Sequence, residues 1–167
     1  MDKLLIHSTT EHMLADQLQS PSHAVLLVGP IGSGKTTLAR SLSMQLLGLA
    51  DLANYPYYLE LVSTDTRVGI DDIRSIRGFM KRTTTGSRAI RRVCLIDSVD
   101  DMTSEAANAL LKMLEEPAED TVFVLTAATQ AKVPQTILSR VQQVSIHSVG
   151  EDMAVRHLKD KYAEADI

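Results

Sequence analysis

The chain has 167 residues, 44% of them hydrophobic and 23% charged, and a formal net charge of −4. This composition is ordinary for a folded globular domain and excludes a low-complexity chain. No apolar run approaches the ~20 residues that span a bilayer, and the N-terminus lacks the apolar segment and cleavage site of a signal peptide. We therefore expect a cytoplasmic protein without a membrane partner, and we expect its single cysteine, Cys94, to be buried.

The first two predicted elements are a helix and a buried strand. Ser8-Thr9-Thr10-Glu11 has the form of a capping box, and the helix is expected to reach about Gln19, shortly before Pro21. The apolar run Ala24-Val25-Leu26-Leu27-Val28 then predicts a strand.

A complete phosphate-loop pattern, G-x-x-x-x-G-K-[ST], follows that strand directly, and a helix ending at Gly48 comes next. The glycines let backbone N–H groups converge on an anion, and the following helix points the positive end of its dipole at the same place. Lys35 is expected to reach the β and γ phosphates, and Thr36 to bind Mg²⁺ through its hydroxyl oxygen. Thr37 is expected to pack or to contact the α-phosphate. The predicted nucleotide-binding residues are Gly29, Pro30, Ile31, Gly32, Ser33, Gly34, Lys35, Thr36 and Thr37.

The middle of the chain combines a strand, predicted over 58–62, with a basic amphipathic helix. Arg74, Arg77 and Lys81 share the polar face of this helix, and the stretch 74–92 contains no acidic residue. The apolar face is formed by Ile70, Ile73, Ile76 and Met80.

The next apolar run, Arg92-Val93-Cys94-Leu95-Ile96-Asp97, predicts a buried strand with a carboxylate at its C-terminal tip. A phosphate loop with such a strand is the pairing of nucleotide triphosphatases, so Asp97 is expected to hold Mg²⁺ through water. The remaining predicted elements are a helix over 104–115, a strand over 121–127, a short helix over 133–140, a strand over 144–146 and a closing helix that starts near Ser148.

Motifs beyond the phosphate loop resemble those of the clamp-loader ATPases of bacterial DNA polymerase III, a family of the AAA+ class, and most closely its delta-prime members. The resemblance covers nearly the whole chain. Its motifs are the phosphate loop, Val68-Gly69-Ile70-Asp71-Asp72-Ile73-Arg74, Leu95-Ile96-Asp97, the stretch from Met102 to Pro117 with its Asn-Ala-Leu-Leu-Lys-x-Leu-Glu-Glu-Pro string, and Thr136-Ile137-Leu138-Ser139-Arg140.

The resemblance implies an α/β fold of the P-loop NTPase (AAA+) type, with a parallel five-stranded sheet flanked by helices. It implies a nucleotide-binding domain over 1–148 and the start of a helical lid over 149–167, short of the full lid and the oligomerising collar. The implied cofactors are ATP and Mg²⁺. The implied partners are other clamp-loader subunits in a hetero-oligomeric ring and, through the complex, the sliding clamp and primed DNA.

The residue after Asp97 departs from the family pattern. Active members place there a glutamate that orients the attacking water, and this chain has Ser98. A hydroxyl is a poor base, so hydrolysis is expected to be slow even where ATP and Mg²⁺ bind. Asp100 and Asp101 are the alternatives for the missing carboxylate.

Three further departures concern the sensor, the arginine motif and zinc. Ala128 stands at the polar sensor position, with Thr126 and Thr129 as alternatives in another register. Val141 replaces the usual cysteine after the Ser-Arg pair. The four-cysteine module of the family is absent, so the 49–57 region is expected to hold no zinc.

Arg140, in contrast, is retained. The resemblance implies that it acts in trans, reaching the γ-phosphate held by a neighbouring subunit and stabilising charge during transfer; a structural surface arginine is the alternative. One interpretation of the stripe of Arg74, Arg77 and Lys81 is that it follows the DNA backbone in such a complex without base specificity. A subunit contact and a solvated helix face are the alternatives for this stripe.

Two other functions fit part of the pattern. One is an interaction domain with a vestigial phosphate loop. The other is an independent P-loop phosphotransferase, which would need an arginine-rich lid and leaves the 108–117 string unexplained.

Overall fold

The computed structural model describes residues 6–62 and 67–147. Five strands form one parallel sheet with helices on both faces, which confirms the predicted fold class. The closing helix, the 148/149 domain boundary and the lid lie outside the described residues. In chain order the elements are α1 (Ser8–Gln19), β1 (Ala24–Val28), α2 (Lys35–Leu47), β2 (Tyr58–Leu61), α3 (Ile70–Met80), β3 (Arg92–Ile96), a 3₁₀ turn (Val99–Asp101), α4 (Ser104–Glu115), β4 (Thr121–Ala127), a second 3₁₀ turn (Gln130–Lys132), α5 (Gln135–Leu138) and β5 (Gln142–Ser145).

The strand order β2-β3-β4-β1-β5 brings distant segments together at the carboxyl edge of the sheet. Val28 at the end of β1 pairs with Ala127 of β4, and Ile96 at the end of β3 pairs with Leu125. The loop after β1, the residue after β3 and the end of β4 therefore meet at one edge. Open parallel sheets bind their ligands at this edge, where the direction of strand addition reverses.

Alternate residues of the strands enter two separate cores. Val25 and Leu27 of β1 pack towards α1 and α2, whereas Leu26 packs with Cys94 towards α3, α4 and α5. Every residue of β3 and β4 is buried, as expected for parallel strands covered on both faces. The predicted burial of Cys94 is confirmed, and this burial raises the pKa of its thiol to about 12.

Several boundaries differ from the sequence predictions: α5 covers only Gln135–Leu138 of the predicted 133–140, and β2 and β5 end one residue early, at Leu61 and Ser145. The first helix begins at Ser8 itself, because His7 is the N-cap residue and its ring Nδ1 accepts a hydrogen bond from Thr9 N at 3.2 Å. β5 begins earlier than predicted, at Gln142, since its backbone pairs with β1 from Val25 onwards whatever the polarity of its side chains. A polar residue on an edge strand carries no apolar signal.

Arg92 begins β3 and also closes the end of α3. Its side chain is buried, and its guanidinium donates from Nη1 to Met80 O at 3.1 Å and from Nη2 to Arg82 O. The guanidinium also lies 5.5 Å from the centroid of the Phe79 ring. The last carbonyls of a helix have no partner within it, so a buried cation at this end stabilises it. The basic helix α3 is thereby fixed to the central sheet.

Candidate functional site

The phosphate loop leaves β1 at the carboxyl edge and continues into α2. Gly32 and Gly34 adopt left-handed φ angles of 83° and 78°, a conformation that glycine takes without steric cost. α2 begins at Lys35, so the unpaired N–H groups of its first turn continue those of the loop. Backbone donors and a helix N-terminus in this arrangement form a phosphate site.

Lys35 is held against the loop instead of extending into solvent. It is 9% exposed, and its Nζ donates a hydrogen bond to Pro30 O at 3.3 Å. Ser33 Oγ is buried and has no hydrogen-bond partner among the described residues, while Thr37 is exposed. A buried hydroxyl without a partner and an ammonium folded over a loop of backbone donors both fit a phosphate group.

Thr36 and Asp97 lie in direct contact although they are 61 residues apart in the chain. Thr36 Oγ1 donates a hydrogen bond to Asp97 Oδ1 at 2.9 Å. A hydroxyl and a carboxylate beside a phosphate loop supply the hard oxygen ligands that Mg²⁺ prefers, so the donor set fits this cation. Bound there with ATP, Mg²⁺ would neutralise charge on the phosphates.

Thr126 belongs to the same cluster. It is fully buried in β4, donates to Asp97 Oδ1 at 2.6 Å and accepts a hydrogen bond from Ser98 N at 3.0 Å. The bond from Ser98 N orients the Thr126 hydroxyl, and the bond from this hydroxyl orients the Asp97 carboxylate. From sequence, Thr126 is predicted only as a substitute sensor. The signal for this second role is a hydroxyl near the end of an apolar buried strand, where a polar group needs a partner.

Ser98 orients the carboxylate that precedes it. Its backbone is left-handed, with φ of 57°, and its Oγ donates to Asp97 Oδ2 at 3.2 Å. Asp97 therefore accepts hydrogen bonds from three hydroxyls, those of Thr36, Thr126 and Ser98. A serine hydroxyl is a poor base, so the Ser98 side chain offers no proton acceptor of useful basicity beside Asp97.

The two nearby acids have structural partners. Asp100 Oδ2 accepts hydrogen bonds from the backbone N atoms of Ala128 at 3.1 Å and Thr129 at 3.2 Å. Asp101 is exposed and pairs with Arg67, whose Nε lies 3.0 Å from Asp101 Oδ1. Asp100 thus holds the loop that contains the predicted sensor position. These contacts give no support to either acid as a replacement for the missing glutamate.

An ion pair ties α2 to the edge strand β2. Arg40 Nη2 lies 2.6 Å from Glu60 Oε1, and the Tyr58 hydroxyl donates to Glu60 Oε2 at 2.7 Å. Burial raises the pKa of Tyr58 above its ordinary value, and the hydrogen bond to Glu60 raises it further. The bond to Glu60 likewise raises the pKa of Arg40. At neutral pH Tyr58 is therefore neutral and Arg40 charged, and the contact holds α2 beside the sheet.

Arg140 lies two residues after the end of α5, where three contacts hold its guanidinium. Nη1 donates to Thr136 O at 2.9 Å and to Ser139 Oγ at 3.1 Å. Nη2 lies 2.9 Å from Glu115 Oε1, at the end of α4. The side chain is still 36% exposed, so it is both fixed and open to solvent. Glu115 carries no signal of this contact in the sequence, because only the fold brings α4 and α5 together.

A groove of about 240 Å³ runs between α3 and α4. It contains two members of the predicted basic stripe, Arg74 and Arg77, together with Lys112 of α4, which sequence reasoning missed. Lys81 does not line the groove; it is the exposed C-cap residue of α3. Arg74 also pairs with Asp71, Nη1 to Oδ1, across 2.8 Å. Two of the three residues of the predicted stripe therefore line the groove, and the third lies outside it. The charged lining residues are Arg74, Arg77, Glu105 and Lys112.

Comparison with known proteins gives a consistent set of relatives. A family model described as "DNA polymerase III, delta subunit" matches residues 6–150. DNA polymerase III subunit delta' of Pseudomonas aeruginosa is 33% identical over 166 residues, covering 86% of this chain and 50% of that protein. The replication factor C small subunit of Sulfurisphaera tokodaii is 36% identical, with 80% and 40% covered. Subunit gamma of Buchnera aphidicola DNA polymerase III is 32% identical, with 82% and 42% covered. The chain thus spans half or less of the length of these curated relatives.

Solved structures show the same fold. A DNA polymerase III gamma subunit-related protein from Thermotoga maritima matches with a TM-score of 0.72 at 28% identity, covering 86% of this chain and 47% of that one. The RuvB Holliday junction branch migration motor of Thermotoga maritima matches with a TM-score of 0.71 at 18% identity, covering 97% and 52%. The predicted P-loop fold of the AAA+ class is confirmed. Within residues 6–62 and 67–147, no helix has the length and apolar character needed to cross a membrane.

Proposed function

This chain belongs to the DNA polymerase III delta-subunit family, and we propose that it is a delta-prime-like clamp-loader subunit that binds ATP and Mg²⁺ and acts in DNA replication. The observation that carries the proposal is the contact between Thr36 and Asp97 beside the loop that holds Lys35. The loop residues Gly29 to Thr37 bind the phosphates, Thr36 ligates Mg²⁺ directly and Asp97 holds it through water. The partners are the other subunits of a hetero-oligomeric ring, with the clamp and primed DNA bound by the whole complex.

Hydrolysis by this subunit is proposed to be slow or absent. Ser98 supplies no base, and Ala128 at the sensor position has no side-chain donor for a phosphate or a water. Arg140 contributes instead to a neighbour, because a guanidinium can complete the site of another chain and stabilise the charge of its γ-phosphate. The chain is thus a nucleotide-binding member of the ring whose catalytic group acts on the next subunit.

Replacement of Lys35 by alanine tests nucleotide binding. We expect titration calorimetry to show that the wild-type chain binds ATP with Mg²⁺ and that Lys35→Ala weakens binding by about 10- to 100-fold, since it removes a charge-assisted contact to phosphate. Lys132→Ala, which alters an exposed lysine in the second 3₁₀ turn, is the matched control and should bind as the wild type does. Absence of wild-type binding, or equal binding by Lys35→Ala, would favour the interaction domain with a vestigial loop.

We further propose that the groove between α3 and α4 contacts the DNA backbone in the assembled complex. Its three basic side chains, Arg74, Arg77 and Lys112, come from two helices and outnumber the two acids beside them, Glu105 of the lining and Asp71, which pairs with Arg74. Such a surface neutralises phosphates without reading bases. Lys81 extends the same positive field from the end of α3.

The salt dependence of DNA binding distinguishes this contact from a solvated surface. In the assembled complex, the double substitution Arg77→Ala and Lys112→Ala should weaken binding to primed DNA severalfold. It should also lower the slope of log K against log salt by about 1 for each phosphate that the groove no longer neutralises. Lys132→Ala again serves as the control. If the slope is unchanged and the complex still assembles, the groove is a solvated surface without a DNA contact. If the variant fails to assemble, the groove is part of a subunit interface.

A further inference from the structure

We propose that Glu115 is a positioning residue that holds Arg140 in the direction needed to reach a phosphate on the neighbouring subunit. The inference rests on the proposed action of Arg140 in trans and adds the residue that prepares it. Glu115 Oε1 lies 2.9 Å from Arg140 Nη2; Glu115 is the last residue of α4, and Arg140 lies two residues after the end of α5. The surface that meets the neighbour therefore includes the end of α4.

The three contacts of Arg140 leave a defined set of donors for phosphate. A guanidinium carries two N–H groups on each Nη atom and one on Nε. Nη1 donates hydrogen bonds to Thr136 O and Ser139 Oγ, and Nη2 lies 2.9 Å from Glu115 Oε1 in an ion pair. Nε takes no part in these contacts, and Nη2 carries two N–H groups beside a single carboxylate oxygen. Two donors on one planar group match the paired oxygens of a phosphate.

Glu115 lies on a different element, α4, from the other two contacts of Arg140. Thr136 and Ser139 belong to the same segment as Arg140, so they hold the guanidinium from one side only. Glu115 holds it from α4, which is fixed in the core by Leu110 and Leu114. An exposed ion pair adds little to the stability of the fold. The expected effect of this pair is therefore on the orientation of the Arg140 guanidinium. A displacement of 1 Å in a catalytic group can lower a rate by about 10²-fold.

The experiment compares Glu115→Ala and Glu115→Gln in the assembled complex, with Glu116→Gln as the control that alters the neighbouring exposed acid. The measurements are kcat and KM for ATP, together with the affinity of this chain for the complex. We expect Glu115→Ala to lower kcat by about tenfold, with KM and assembly unchanged, because only the direction of Arg140 changes. Glu115→Gln should recover only part of the loss, since its amide oxygen can still lie beside Nη2 but the charge of the ion pair is gone. Glu116→Gln should behave as the wild type.

A double-mutant cycle separates this inference from the function on which it rests. In an Arg140→Ala background, Glu115→Ala should have no further effect, because its target is gone. An unchanged or increased kcat for Glu115→Ala would overturn the positioning role, and so would an equal decrease in the Arg140→Ala background. If Arg140→Ala alone leaves kcat unchanged, the trans role itself fails, which is a separate outcome.

Discussion

Replacing Arg140 by alanine is expected to remove ATP hydrolysis at the site of the neighbouring subunit in the assembled complex while leaving assembly intact. An arginine supplied to the transferring phosphate of another chain contributes about 10³- to 10⁵-fold to the rate, so a decrease of about 10³-fold at the neighbouring site is the expected result. The fold tolerates the change, since the Arg140 side chain is partly exposed. Its partners, Thr136 O and Ser139 Oγ, belong to exposed residues and can form hydrogen bonds with water instead. Single-turnover hydrolysis by the complex, measured beside its assembly affinity, checks this prediction.

Two further variants define the chemistry at this position. Arg140→Lys keeps the charge but not the planar fork, so it should restore only a small part of the rate. Arg88→Ala removes an exposed arginine elsewhere on the chain and should leave the rate unchanged. Wild-type turnover by the Arg140→Ala complex would refute action in trans. A lower rate that follows dissociation of the complex would instead identify Arg140 as a structural contact.

Substitution of Ser98 by glutamate is expected to raise the chain's own ATP hydrolysis by about 10²-fold. General-base assistance is worth about 10²- to 10⁴-fold, and two local features favour the lower end of this range. A glutamate at position 98 has to keep the left-handed backbone of Ser98, which costs a residue with a Cβ atom roughly 1–2 kcal/mol. Ala128 also still lacks a polar side chain at the sensor position.

Ser98→Gln is the matched control, because it has the size and hydrogen-bonding groups of glutamate without its basicity. Steady-state hydrolysis by the isolated chain, with a thermal midpoint for each variant, gives the comparison. Equal rates for the glutamate and glutamine variants would show that the missing base does not limit turnover. Strong hydrolysis by the wild-type chain would contradict the proposal of impaired catalysis before any substitution is made.

Local patterns in the sequence were sufficient for the sheet and for the phosphate loop. β3 and β4 are continuous apolar runs because they are buried on both faces, and α3 and α4 show helical spacing of apolar residues because each packs one face on the sheet. The loop and Asp97 follow directly from a strand end, so the contact between Thr36 and Asp97 could be predicted from parallel topology. The polar start of β5 and the role of His7 at the first helix could not, because neither leaves a periodic signal.

The sequence by itself determined which chemical groups this protein has and where they stand: a phosphate loop after β1, a carboxylate followed by a serine after β3, and an arginine before β5. Only the tertiary structure decided what each group touches. Thr126 reaches Asp97, Glu115 reaches Arg140 and Lys112 shares a groove with Arg77. Each of these pairs joins elements that are distant in the chain, and their contact depends on strand order and helix packing. Periodicity reports only which face of an element is buried, so it carries no information on which element lies opposite.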